Sequence, residues 1–223
     1  MASAPAVKIC GLTRAEDAAS AEQAGAAYLG VILAGGPRLL TPERARLVLG
    51  ARRHGIQRVA VFGDQPEAEV VALAEMLDLD VIQLHGPRTD DAIARIAARS
   101  ARVVWPVLRV AGTTLPDDAA ALAVAAGTLV FDAHVVGQLG GTGVSLDWSG
   151  LSRDVIALRH AVPGMRLVLA GGLRPSNVAR ATRLLSPDVV DVSSGVECAP
   201  GVKDPALVRQ FVTAAHDAAE SEP

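Results

Sequence analysis

The chain has 223 residues, half of them hydrophobic, and carries 21 Lys and Arg against 24 Asp and Glu for a net charge of −3. That length allows one sizeable core, and a single domain spanning residues 1–223 is expected. Balanced charge with only 3% aromatic residues excludes a basic, aromatic-lined nucleic-acid surface.

Taken in chain order, residues 1–6 lack the basic start and apolar centre of a secretory signal, which predicts a cytoplasmic protein. Short β-branched runs then recur at residues 7–9, 28–32, 59–62, 81–84, 103–107, 129–131, 167–170 and 189–192. Most are continuously apolar, as parallel strands buried on both faces are. Between them lie helical signals. Thr41-Pro42-Glu43 puts a capping residue before a proline at the first helical position. Pro66, Pro116 and Pro175 stand near further helix starts, and Val70, Val71, Leu73, Ala74 and Leu77 share one helical face. The longest apolar stretches, 119–126 and 167–173, are far too short to span a bilayer, so no membrane partner is expected.

Eight strand–helix units in about two hundred residues predict an α/β fold closed as a (β/α)8 TIM barrel. The glycine-rich dinucleotide fingerprint is missing after the first strand, where Cys10-Gly11-Leu12-Thr13 has one glycine. In such a barrel the strand C-termini and the loops after them build the site. Those positions hold Cys10, Gly35 to Arg38, Asp64, Gln83 to Gly86, Arg109, Asp132, Gly171-Gly172, Asp191 and Ser193-Ser194-Gly195.

The loops after strands 7 and 8 are small and polar, so their backbone N–H groups can approach an anion closely. Their place in the last two units favours a phosphate site over simple turns. A free cysteine is ordinarily a small buried hydrophobe. Cys10, beside Lys8 and Gly11 at a strand end, has in addition the setting of a working thiolate, which requires nearby positive charge. Asp132 closes an apolar run; it either bonds loop N–H groups or, partly desolvated, acts as a general acid. Arg38 follows the Gly35-Gly36-Pro37 turn, where it can grasp a carboxylate or remain a surface charge. His85 and His134 lie near the rim without a third ligand, and no metal is expected. Asp191 braces the phosphate loop or contacts substrate. Cys10 and Cys198 are too few for a disulfide framework. A regulatory bridge between them is conceivable only if the loop after strand 8 approaches strand 1.

Several segments together resemble phosphoribosylanthranilate isomerase, the barrel enzyme of tryptophan biosynthesis. They are Lys8-Ile9-Cys10-Gly11-Leu12-Thr13, Gln83-Leu84-His85-Gly86, Asp132 with Gly140-Gly141-Thr142-Gly143 and Asp147-Trp148, and Ala170-Gly171-Gly172-Leu173 with Pro175 and Asn177. Val190-Asp191-Val192-Ser193-Ser194-Gly195-Val196-Glu197, Pro200-Gly201 and Lys203-Asp204 complete the set. The resemblance covers nearly the whole chain. It implies an Amadori rearrangement of N-(5-phosphoribosyl)anthranilate to 1-(2-carboxyphenylamino)-1-deoxyribulose 5-phosphate, with no metal or organic cofactor. By motif position, Asp132 would be the general acid and Cys10 the general base. Arg38, His85 and Asp191 would contact substrate, and Gly171, Gly172, Ser194 and Gly195 would hold its phosphate. The glycine-rich segment 137–143 has the composition of a lid. Gly36-Pro37-Arg38-Leu39 departs from the family, which usually has a serine two positions before the arginine.

Two other readings remain open on sequence alone. One is the related sugar-phosphate isomerase of histidine biosynthesis, or a barrel serving both pathways, though such enzymes typically carry aspartate at the place of Cys10. The other is a non-catalytic barrel that binds a phosphorylated metabolite. The oligomeric state, monomer or homodimer, depends on helix faces that sequence does not resolve.

Overall fold

The computed structural model describes residues 4–110, 112–133 and 147–220. His134, the Gly140–Gly143 motif and the proposed lid lie outside the described residues. Eight parallel strands close into a barrel in sequence order: β1 (Ala6–Ile9), β2 (Tyr28–Ile32), β3 (Gln57–Phe62), β4 (Val81–Leu84), β5 (Val103–Val110), β6 (Thr128–Ala133), β7 (Arg166–Leu169) and β8 (Val189–Val192). The first strand pairs with both β2 and β8, which completes the ring. Helices α1 (Ala15–Gln23), α2 (Pro42–Leu49), α3 (Glu67–Met76), α4 (Asp90–Ser100), α5 (Ala119–Ala126), α6 (Trp148–Ala161), α7 (Val178–Leu185) and α8 (Pro205–Glu220) follow the strands in turn. The barrel expected from the apolar rhythm is the fold observed.

The local signals act as predicted. Thr41 accepts from the Arg44 N–H at 3.3 Å with Pro42 behind it, and Thr89 caps α4 in the same way from the Ala92 N–H. On α3, Val70 and Ala74 are buried, as is Leu77 just past its end, while Val71 and Leu73 are only partly covered. Among the described residues, no helix is long and apolar enough to cross a membrane.

Because side chains alternate along a strand, each strand serves two cores. Ile9, Val31, Phe62, Ile82, Phe131 and Leu169 face the helices. Tyr28, Val59, Val81, Trp105, Val130, Val168 and Val189 fill the barrel interior. Tyr28 and Trp105 meet there with ring centroids 5.1 Å apart and planes tilted by 57°. This packed plug closes the lower part of the barrel, so any ligand must enter from the other end.

Strands β1, β3 and β7 shift by one or two residues from the expected bounds, and two further differences bear on the site. Strands β5 and β6 run beyond 107 and 131, so that Arg109 and Asp132 lie within strands, in register with each other. A short hairpin, β9 (Glu197–Ala199) and β10 (Val202–Lys203), follows β8 after a 3-10 turn at Ser194–Val196. Strands of three and two residues are too short to show an apolar period.

Candidate active site

The inward positions nearest the strand C-termini are not apolar. Cys10 just past β1, Gln83 on β4, Asp132 on β6 and Asp191 on β8 replace the Val and Trp of the layer below. All four line one cleft at the barrel mouth, together with Arg38, His85, Gly171, Gly172, Ser193 and Ser194. Among the described residues, three polar atoms of this cleft are buried without a hydrogen-bond partner: Gln83 Oε1, Asp191 Oδ1 and Ser193 Oγ. Orphaned buried polar atoms are rare and call for an explanation, and a ligand that bonds to them is one.

Cys10 stands above Lys8, two residues earlier on the same inner face. The Lys8 ammonium is fully buried and donates to Asp191 Oδ2 at 2.8 Å. Burial pushes the Cys10 thiol above its ordinary value; Lys8 opposes this, Asp191 adds to it, and Lys203 opposes it weakly. The thiol therefore keeps its proton at neutral pH.

His85, at the end of β4, brings Nε2 to 3.9 Å from Asp132 Oδ2, too far for a hydrogen bond. Burial, with the positive charges of Arg109 and Lys8, lowers His85 to about 4. It is thus a neutral imidazole at pH 7, able to donate or accept but not to serve as a cation. Arg109 Nη2 donates to the His85 carbonyl at 3.4 Å.

Arg38 is already engaged. Its Nε and Nη2 donate to the two carboxylate oxygens of Glu197 at 2.7 and 2.6 Å. Among the described residues Nη1 makes no hydrogen bond, which leaves one edge of the guanidinium for an incoming anion. Glu197 is in turn held by Lys203 Nζ at 2.7 Å, and Lys203 also donates to the Ser193 carbonyl at 3.1 Å. Gly11 makes room for this network. A Cβ there would lie 2.5 Å from Arg38 Cδ and 2.7 Å from Ser193 Oγ.

The loops after β7 and β8 lie against each other. Gly171 and Gly172 have φ of +83° and +66°, a left-handed backbone suited to glycine. Asn177 fixes the first loop, its Nδ2 donating to the Gly172 carbonyl at 3.0 Å and its Oδ1 accepting from the Arg174 N–H at 2.8 Å. In the second loop, a Cβ on Gly195 would collide with the Leu173 carbonyl oxygen. Gly171, Gly172, Ser193 and Ser194 reach the cleft, whereas Gly195 is not among its lining residues.

Of the residues expected from sequence, Cys10, Asp132, Arg38, His85, Asp191, Gly171, Gly172 and Ser194 are thus brought to one cleft. Asp64 is not; its side chain is 85% exposed. Cys198 is exposed on β9 while Cys10 is buried, and both thiols are free. Among the described residues no cluster of His, Cys, Asp or Glu could hold a metal ion. Sequence reading passed over Glu197 and Lys203 as partners of Arg38, since nothing in their spacing from Arg38 signals contact. The role of Lys8 was legible in principle, because i and i+2 on a strand share a face.

Comparison with known proteins agrees with this architecture. A relative from Pseudomonas aeruginosa (strain LESB58), named N-(5'-phosphoribosyl)anthranilate isomerase, is 40% identical over 210 residues, 93% of each chain. A crystal structure of phosphoribosyl anthranilate isomerase in complex with reduced 1-(o-carboxyphenylamino)-1-deoxyribulose 5-phosphate superposes with a TM-score of 0.76 at 29% identity, covering 95% of this chain and 98% of that one. Monomers generated from the dimeric enzyme of Thermotoga maritima give 0.77 at 30% identity, with the same coverage. The family described as N-(5'phosphoribosyl)anthranilate (PRA) isomerase matches residues 7–214, and the chain belongs to that family.

Proposed function

We propose that this chain converts N-(5-phosphoribosyl)anthranilate to 1-(2-carboxyphenylamino)-1-deoxyribulose 5-phosphate in tryptophan biosynthesis, using Asp132 as general acid and Cys10 as general base. The observation that carries this reading is that both residues line the one cleft of a chain matched to the isomerase family over residues 7–214.

The chemistry needs two separate groups, since one proton goes to oxygen and another leaves carbon. Asp132 protonates the furanose ring oxygen, the C1'–O bond breaks, and the sugar opens to a Schiff base. Cys10, acting as the thiolate once its own proton has passed to solvent, then takes the C2' proton, and the electron pair released forms an enolamine that tautomerises to the ketone. His85, neutral beside Asp132, supplies a hydrogen bond to the reacting sugar without adding charge. The free edge of Arg38 receives the anthranilate carboxylate, and Glu197 fixes that edge by occupying the other. Gly171, Gly172, Ser193 and Ser194 receive the phosphate, with Gly195 packed behind them to bring the two loops together. Anchoring both ends holds C2' and the ring oxygen between base and acid.

Cys10 stands where the histidine-pathway barrels typically carry aspartate, which favours the anthranilate substrate over theirs. Expression of the chain in a tryptophan-requiring strain that lacks this isomerase tests the proposal. Growth without tryptophan is expected, and a well-expressed chain that fails to support it would contradict the reading.

A further inference from the structure

Only two of the 21 basic residues, Lys8 and Lys203, are lysine; the others are arginine. Both lysines are buried at the mouth of the barrel, with 0% and 2% exposure. Lys203 has an evident task in the Arg38–Glu197 network. Lys8 lies deeper and is not among the residues that line the cleft, and the reaction scheme above does not use it. A cation in that place is costly unless something needs it.

Its surroundings define what that is. Lys8 faces Asp191 across the β1–β8 register and is pinned to it at 2.8 Å. On β2, Gly30 leaves the space that the lysine and the cysteine share: a Cβ there would lie 3.1 Å from both Lys8 Cε and Cys10 Sγ, and 3.2 Å from Cys10 Cα. The end of the Lys8 side chain and the sulfur therefore border the same small space, and a bulkier guanidinium would have to displace one of these neighbours. We propose that Lys8 is a positioning residue for the isomerisation, an ammonium group pinned by Asp191 beneath Cys10 that holds the negative charge of the sulfur once Cys10 becomes the base.

The electrostatics agree with the geometry. Burial lowers the Lys8 ammonium, but the charge and hydrogen bonds of Asp191 and Cys10 outweigh it, so the net change is upward and Lys8 stays protonated. The charged groups around Cys10 are Lys8 on its own strand, Asp191 on β8, Lys203 on β10 and Arg38 after β2. His85 on the far side is neutral and senses Lys8 in turn. Of the cations, Lys8 opposes the burial of Cys10 most strongly. Asp191 plays two opposed parts, since it anchors Lys8 and itself disfavours a thiolate.

This inference rests on Cys10 being the base, and its test reads the thiol directly. In a Cys198→Ser background, which removes the exposed thiol, the rate of Cys10 alkylation by iodoacetamide is followed against pH. Lys8→Met should move the midpoint upward by about one pH unit or more and lower kcat at least tenfold, with KM changed far less. Asp191→Asn should move the midpoint the other way. Lys8→Met leaves a buried unpaired carboxylate and can fail to fold for that reason. The double variant Lys8→Met/Asp191→Asn avoids this, and its midpoint should lie above that of Asp191→Asn alone. Coincident profiles for those two proteins, or an unmoved midpoint in folded Lys8→Met, would overturn the proposal. A wild-type chain without isomerase activity would instead overturn the function, while the alkylation profiles would still decide the role of Lys8.

Discussion

The two ends of the barrel use their acidic residues differently. At the bottom, Asp80 precedes β4 and accepts from the Arg58 N–H at 2.8 Å, while Arg52 holds both of its oxygens. Asp188 precedes β8 and accepts from the Leu167 N–H at 2.8 Å and from Arg159. Each acid ties the start of the preceding strand. At the mouth, Asp191, Gln83 and Ser193 keep buried atoms unpaired among the described residues, and Cys10 sits in a setting that raises its proton affinity. Acids at the bottom tie neighbouring strands together, whereas the polar set at the top leaves buried atoms open, which fits the proposed ligand site. In a (β/α)8 barrel this division follows from which end the loops leave open.

Substitutions at the two ends should separate activity from stability. The largest effect on activity belongs to Cys10→Ala and Asp132→Asn, each expected to lower kcat by about a hundred- to ten-thousand-fold with little change in melting temperature. Steady-state kinetics beside thermal denaturation will show both. The largest effect on stability belongs to the plug. Trp105→Ala should cost about 3–5 kcal/mol in denaturant titration, because the ring is 1% exposed and packs on Tyr28.

Acid should act next, through the mouth. His85 has its folded value lowered from 6.5 to about 4, so its neutral form favours folding above pH 6.5. That contribution, about 3 kcal/mol at most, is lost as pH falls from 6.5 toward 4. Urea titrations across that range should show a smaller loss in His85→Gln. The smallest effect is expected at the bottom: Asp80→Ala should cost about 1–3 kcal/mol by leaving the Arg58 N–H unpaired, with kcat unchanged. An Asp80 variant with normal stability and impaired kcat would break the division between the ends.

The sequence carried the strands well, because parallel strands buried on both faces are continuous apolar runs, and β2, β4 and β8 have the expected bounds. It also carried the rim, since topology sends every strand end to one side. The partners of the rim residues were not legible. On sequence Arg38 is a carboxylate grip or a surface charge, but its Nε and Nη2 are bound to Glu197, 159 residues away. Gly195 was grouped with the phosphate loop, yet its lack of a side chain is needed first for contact with Leu173. Such pairings arise where loops of different units fold onto each other, and no local period encodes them. Burial, too, is a property of the assembled barrel, so the protonated thiol of Cys10 and the neutral imidazole of His85 follow from the fold and not from their motifs.

The account is tested most directly by the fluorescence of phosphoribosylanthranilate mixed with the purified chain, with no metal added, in parallel with the Cys10→Ala and Asp132→Asn variants. The fluorescence should disappear with the wild-type chain and persist with either variant. Persistence with a folded wild-type chain, or disappearance at the same rate in both variants, would contradict it.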